Sequence, residues 1–316
     1  MFRWAFLMAA MLVVVLTCLG YAAAVYTELW TGRRLLPWDP YQGCGDGAVP
    51  LRESIGERGP TIVGLYEEFP NPDRLVRLEN IDFPVDLAVA SPSREHFMGI
   101  RDWIHQRYPM VRTIYFWPVL DREAGYYPGS WSRHDAVRDA IEETQSLPVL
   151  WDLEFPLPLM RGEWGIADLS LRDVRRNKQI LSDWLQCRSA PVHIWRSHRS
   201  FGLNSPLLRA AGMHFDPGRF EAVTLHLDLY MTGSGVAADR LRQILRCGVA
   251  AYGDRFAASF GVLNDGEGRA EEFVPPDVLE RNLNIAAQEG VAQVWLFGLN
   301  GVTRDTANMV RRILRP

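Results

Sequence analysis

Asp152 and Glu154 are the first residues in this chain whose type and spacing suggest chemistry. They lie in Leu147 to Pro156, LPVLWDLEFP. With a period of two, Leu150, Asp152 and Glu154 share one face of a strand, and Val149, Trp151, Leu153 and Phe155 share the other. In an extended strand the two carboxylates stand about 6 to 7 Å apart. Two acidic groups at the closed end of a strand are a poor core and a good general acid–base pair. One carboxyl is kept protonated by burial and by its neighbour, and hands that proton to a leaving group. The competing interpretation is a rim where both acids pair with arginines.

Other strand-like runs supply further candidates. Ile62 to Phe69 ends with Glu68 on the face of Gly64 and Tyr66, opposite Val63 and Leu65. Val111 to Leu120 carries Tyr115 and Trp117, and Ala292 to Leu299 carries Trp295. Ala222 to Met231 alternates most cleanly. Val223, Leu225, Leu227 and Leu229 face one way, and Thr224, His226, Asp228 and Tyr230 the other.

The elements that would position these groups alternate regularly. Strands are predicted at Ile62–Phe69, Val85–Ala90, Val111–Leu120, Leu147–Pro156, Val192–Ser197, Ala222–Met231, Phe256–Leu263 and Ala292–Leu299. Helical patterns fall between them, beginning with Asn71 as a cap and Pro72 in the first turn. Eight strands alternating with eight helices over about 255 residues match a (β/α)8 barrel. A doubly wound open sheet fits less well, because no Gly-rich phosphate-binding turn follows the first strand. In a barrel the active site lies where the strands end, so Glu68, Tyr115, Trp117, Asp152, Glu154, His226, Asp228, Tyr230 and Trp295 would converge, with Asp265 and Glu267 added from the seventh loop.

Carboxylates, a histidine, a tyrosine and tryptophan walls around one mouth suit glycosidic cleavage, with Glu154 as the acid and Asp152 tuning it. An Asp-x-Glu ending strand four, a Tyr late in strand six and a Trp in strand eight together resemble the chitinase-type family 18 glycoside hydrolases. The resemblance implies that Glu154 is the proton donor and that Asp152 orients a substrate acetamido group. It also implies that Tyr230 helps hold that group and that Trp295 floors the sugar subsite. The chain departs from the family at Leu150, two before Asp152, and in placing Asp228 before Tyr230. A two-carboxylate retaining scheme would instead recruit Asp265 or Glu267 as nucleophile. Two other classes stay open. One is a metal-dependent hydrolase using His226, Asp228, Glu68 and Asp152 as ligands; the other is a barrel that binds glycan without cleaving it.

Composition narrows the field. The 316 residues are 47% hydrophobic with 11 tryptophans and a formal net charge of -4, so a basic footprint for nucleic acid is missing. No spacing of the four cysteines or seven histidines calls for a zinc site, and no cofactor is implied. After Arg3, about 22 residues run without a charge, long enough to cross a bilayer. Residues 1–25 are thus expected to be a signal peptide or membrane anchor and 26–60, rich in Gly, Pro and mixed charge, a stalk. The barrel, 61–316, is expected outside the cytoplasm, membrane-anchored or secreted, acting on a carbohydrate. A disulfide from Cys44 is compatible with that location.

Overall fold

Runs of alternating residues too short to stand alone are stabilised here by parallel pairing into a closed ring. The structure, a computed structural model, describes residues 61–154, 156–160, 162–164, 169–197, 206–229, 237–261, 263 and 274–316. The eight strands are β1 (Ile62–Glu67), β2 (Val85–Ser91), β3 (Val111–Pro118), β4 (Val149–Asp152), β5 (Val192–Ser197), β6 (Val223–Asp228), β7 (Phe256–Phe260) and β8 (Gln293–Phe297). They form a closed barrel in chain order. Its seam joins β1 to β8, with Gly64 beside Trp295 and Tyr66 beside Phe297.

Each strand is followed by helix, as parallel pairing requires a crossover. The helices are α1 (Pro72–Leu75), α2 (Arg94–Arg107), α3 (His134–Glu143), α4 (Leu157–Met160), α5 (Leu171–Gln186), α6 (Pro206–Ala210), α7 (Ala238–Tyr252), α8 (Pro276–Gln288) and α9 (Arg304–Leu314). Four starts are fixed by side-chain caps. Asn71, Ser93, Ser170 and Thr303 accept from the backbone N–H three residues on. The expected (β/α)8 architecture is observed, with α1 and α6 reduced to about a turn. The short helix α4 lies where the sequence suggested only loop.

Period-two alternation sorts the side chains into two cores. Outward residues such as Val63, Leu65, Leu225, Leu227 and Phe256 pack against helices. Val149, Trp151, Leu153, Val192 and Ile194 do so beneath α3 and α5. Inside the ring lie Tyr66, Ala88, Ala90, Tyr115, Trp117, Leu150, Trp195, Ala257, Trp295 and Phe297. Large rings from β1, β3, β5 and β8 thus fill space left by alanines of β2 and β7, where many barrels use branched aliphatics. Gly64 is part of this fit, because a Cβ there would come within 2.1 Å of the Trp295 ring.

No helix among the described residues is long and apolar enough to cross a membrane. The expected anchor at 1–25, the stalk at 26–60 and Cys44 lie outside the described residues.

Candidate functional site

β4 ends earlier than its sequence suggests. Its last residue is Asp152, and the Glu154 N–H donates to Asp152 Oδ1 at 3.1 Å. An aspartate that captures the amide two residues on turns the chain, so Glu154 leaves the strand instead of continuing its pleat. The expectation of two carboxylates spaced along one extended strand is corrected accordingly. Asp152 is buried in the barrel at 4% exposure, and Glu154 sits past the strand end with intermediate burial.

Two more acids reach the same end of the ring. Asp228 closes β6 with 0% exposure, and Glu68 follows β1 at 8%. Glu68 accepts a hydrogen bond from the Tyr126 hydroxyl at 2.8 Å. Glu67, its neighbour, turns to the helix layer, where Arg74 pairs with it at 3.0 Å and the Phe69 N–H donates to it. Burial nonetheless pushes the Glu67 carboxyl up, against those two stabilising contacts.

Beneath the acids runs a hydrogen-bonded chain across the barrel. Ser259 Oγ lies 2.7 Å from the Tyr66 hydroxyl, which lies 2.5 Å from His226 Nδ1, and His226 Nε2 lies 2.6 Å from His193 Nδ1. All four residues are buried. A neutral imidazole has one donor and one acceptor nitrogen, so the chain can be satisfied with every proton pointing either way along it. Burial makes the neutral forms compulsory. It lowers His193 to about 3 and drives His226 well down, with the nearby His193 adding to the effect. Burial also raises the Tyr66 phenol well above its ordinary range, and the carboxylates of Asp228 and Asp152 push it further in that direction.

Aromatic rings encase this chain. Tyr115 lies over His193 at 4.3 Å between centroids, and Trp295 meets Tyr115, His193 and His226 edge-on at 5.6, 5.2 and 4.9 Å. Trp295 and His226 are both 0% exposed. A ring without exposed surface supports a floor from below and does not stack on a sugar. Tyr115 and Trp117 are likewise buried. The structure therefore sets Trp295, His226 and Tyr115 in a layer under the mouth, and brings Glu68, Asp152, Glu154 and Asp228 to its C-terminal end. Tyr230, Asp265 and Glu267 lie outside the described residues.

Sequence reasoning passed over Tyr66, His193, Ser259 and Tyr126. The first three were legible in principle: VHIWRS in β5 alternates just as β6 does and puts His193 and Trp195 inward. Tyr126 carried no periodic signal, because it lies in a loop. Among the described residues no three His, Cys, Asp or Glu side chains are grouped to hold a metal ion, so His226, Asp228, Glu68 and Asp152 are not assembled as ligands.

No protein-family model matches the chain, and no curated protein matches it in sequence. Solved structures with a similar fold include the C-terminal domain of a chitinase described as putative, from Desulfitobacterium hafniense DCB-2. It has 11% identity, covers 81% of this chain and 99% of that one, and gives a TM-score of 0.47. The spore cortex-lytic enzyme SleL of Bacillus megaterium QM B1551 has 10% identity, 82% and 75% coverage and a TM-score of 0.46. The 3-keto-D-glucoside 4-epimerase YcjR of E. coli has 11% identity, 81% and 98% coverage and a TM-score of 0.44. All three likenesses are weak, with TM-scores below 0.5, and they carry no argument about the chemistry of this chain.

Proposed function

We propose that this chain is a glycoside hydrolase-like barrel, directed out of the cytoplasm by residues 1–25 as signal peptide or membrane anchor and acting on a glycan at the C-terminal face. The observation that carries the reading is the gathering of Glu68, Asp152 and Asp228, with Glu154 beside them, at the ends of β1, β4 and β6. These strands are not neighbours, so only a closed ring brings their tips together. The acids stand over a floor of buried aromatic rings, Trp295 and Tyr115 among them.

In this reading Glu154, just past the end of β4 and less buried than Asp152 or Asp228, donates its proton to the glycosidic oxygen as the C–O bond breaks. Asp152 fixes the turn that presents Glu154 and supplies negative charge near the oxocarbenium-like centre. Asp228 adds to that field from β6. Water then bonds to the anomeric carbon and gives its proton to the Glu154 carboxylate, which restores the acid. Tyr230 is retained as a contact to the substrate on the strength of the family resemblance. The uncharged run after Arg3 supports export, by a signal peptide or a membrane anchor.

Glu154→Gln tests the assignment against neutral oligosaccharides. Turnover falls by at least about a hundredfold, the usual scale for losing a general acid, while binding persists. Unchanged turnover would overturn it. A second reading, a tethered barrel that binds glycan without cleaving it, is favoured by the depth of Asp152 and Asp228, which leaves one acid near solvent. It predicts binding by the wild type with no turnover to lose.

A further inference from the structure

The loop after β3 is a strap across the rim of the barrel. Its Tyr126 hydroxyl reaches Glu68 beyond β1, and at its other end a Cβ on Gly129 would stand 3.1 Å from the Glu154 carbonyl oxygen. Tyr126 to Gly129 is three residues of chain, at most about 11 Å, so the strap connects the two acids that lie outside the strands. Toward this end of the barrel β2 turns small side chains inward, Ala88 and Ala90.

The strap is held firmly from outside and below. Trp151 Nε1 donates to the Pro128 carbonyl at 2.7 Å, Ser130 Oγ donates to the Gly212 carbonyl at 2.7 Å, and Trp131 Nε1 donates to the Ala211 carbonyl at 3.0 Å. Buried Asn177 Nδ2 donates to the Ser130 and Ser132 carbonyls, and Arg122 forms a two-pronged ion pair with Glu163 across to the next loop. Within this rigid frame Tyr126 adopts φ 67°, a left-handed conformation that a bulky residue seldom takes. Asn or Gly would suit that backbone better. The tyrosine is held there by the Leu120 N–H donating to its carbonyl at 2.7 Å, by edge contact with Tyr127 at 4.9 Å and by Glu68. Its ring is half-buried, packed on the interior aromatic cluster.

We infer that Tyr126 and Glu68 form the recognition edge for one sugar ring, the ring lying on the tyrosine and its hydroxyls donating to the carboxylate. The inference rests on the glycan-hydrolase reading and names its substrate class, an uncharged glycan. Among the described residues the mouth carries Glu68, Asp152, Glu154 and Asp228, while Arg122 after β3 and Arg74 of α1 are held by Glu163 and Glu67. Glycans bearing carboxylate or sulfate groups would enter a field of their own sign.

The test is calorimetric binding and steady-state kinetics of the full chain with neutral and uronate oligosaccharides, for wild type, Tyr126→Asn and Glu68→Gln. Asn tolerates the left-handed backbone, so Tyr126→Asn removes the ring without straining the strap. It raises Kd or KM for the neutral sugar about tenfold and lowers kcat much less; Glu68→Gln, which keeps the shape, carries the Kd arm of the test alone should the first variant not fold. Wild-type turnover with an unaltered Kd in both variants would overturn the recognition edge and leave the hydrolase standing. Uronate binding as tight as neutral binding would overturn the charge selection. A wild type that neither binds nor cleaves any neutral oligosaccharide would overturn the edge and the hydrolase together.

Discussion

The Tyr66 hydroxyl and His226 Nδ1, 160 residues apart in sequence, stand 2.5 Å from each other inside the barrel. Together they tie β1 to β6 through the interior. Neither can meet water, so His226 Nδ1 depends on this hydroxyl for a partner, and the hydroxyl divides itself between His226 and Ser259.

Tyr66→Phe removes that partner while keeping the ring. His226 Nδ1 and Ser259 Oγ both lose a contact in a dry environment, which costs about 1–3 kcal/mol. Urea denaturation gives the value, and an unchanged midpoint would show that the chain of bonds contributes nothing to stability.

Acid sensitivity follows from the histidines. His193 and His214 are lowered from 6.5 to about 3, the first by burial and the second by burial with Arg196 and Arg209 adding to it; His226 is lowered too. Above pH 6.5 these groups are neutral folded and unfolded and contribute no slope. As pH falls from 6.5 toward 3, only the unfolded chain takes up their protons, so stability drops by about 1.4 kcal/mol per pH unit per histidine. Glu67 and Asp86, raised by burial, act in the opposite sense: the folded chain holds their protons to higher pH, which favours it as pH falls. The net expectation is a falling melting temperature from pH 6.5 to 5, and a shallower slope in His193→Phe. Equal slopes in the two proteins would contradict a buried neutral His193.

Gly64→Ala drives a methyl group into the indole of Trp295. Backbone and ring are both fixed by barrel pairing, so the change destabilises by about 1–3 kcal/mol, the usual range for overpacking. The same substitution at Gly99, which has open space around it in α2, gives no such loss. Comparing the two melting temperatures separates crowding from any general effect of replacing glycine.

Asn177→Ala leaves the Ser130 and Ser132 carbonyls and His134 Nδ1 without their shared partner. A loss of about 2 kcal/mol is expected, concentrated in the strap. Amide exchange should therefore speed up at residues 129–133 more than in β1 or β8, and uniform exchange would argue against a local anchor.

Much of the barrel was legible because period-two alternation is forced on any strand with two different faces. β5 begins and ends where its sequence pattern does, and β6 keeps Thr224, His226 and Asp228 inward as its alternation requires. The ends of β4 were not legible. Pro156 looked like its stop, yet the Asp152 side chain bends the chain two residues after itself, a local bond that competes with pairing and leaves no periodic mark. Trp295 read as a surface for sugar for a different reason. An inward tryptophan looks alike in sequence at either depth, and only the register beside Gly64 reveals how far down it sits. Tyr126 was hidden altogether, since a loop residue acquires its meaning from a partner 58 positions away.

Filling a cylinder with rings and polar chains in place of branched aliphatics has an evolutionary corollary. Leucine and isoleucine substitute for one another freely, whereas Ser259, Tyr66, His226 and His193 must be altered in concert or not at all. Distant kin of this chain should therefore betray themselves by that quartet, scattered over four strands, long after their outer surfaces have drifted beyond recognition.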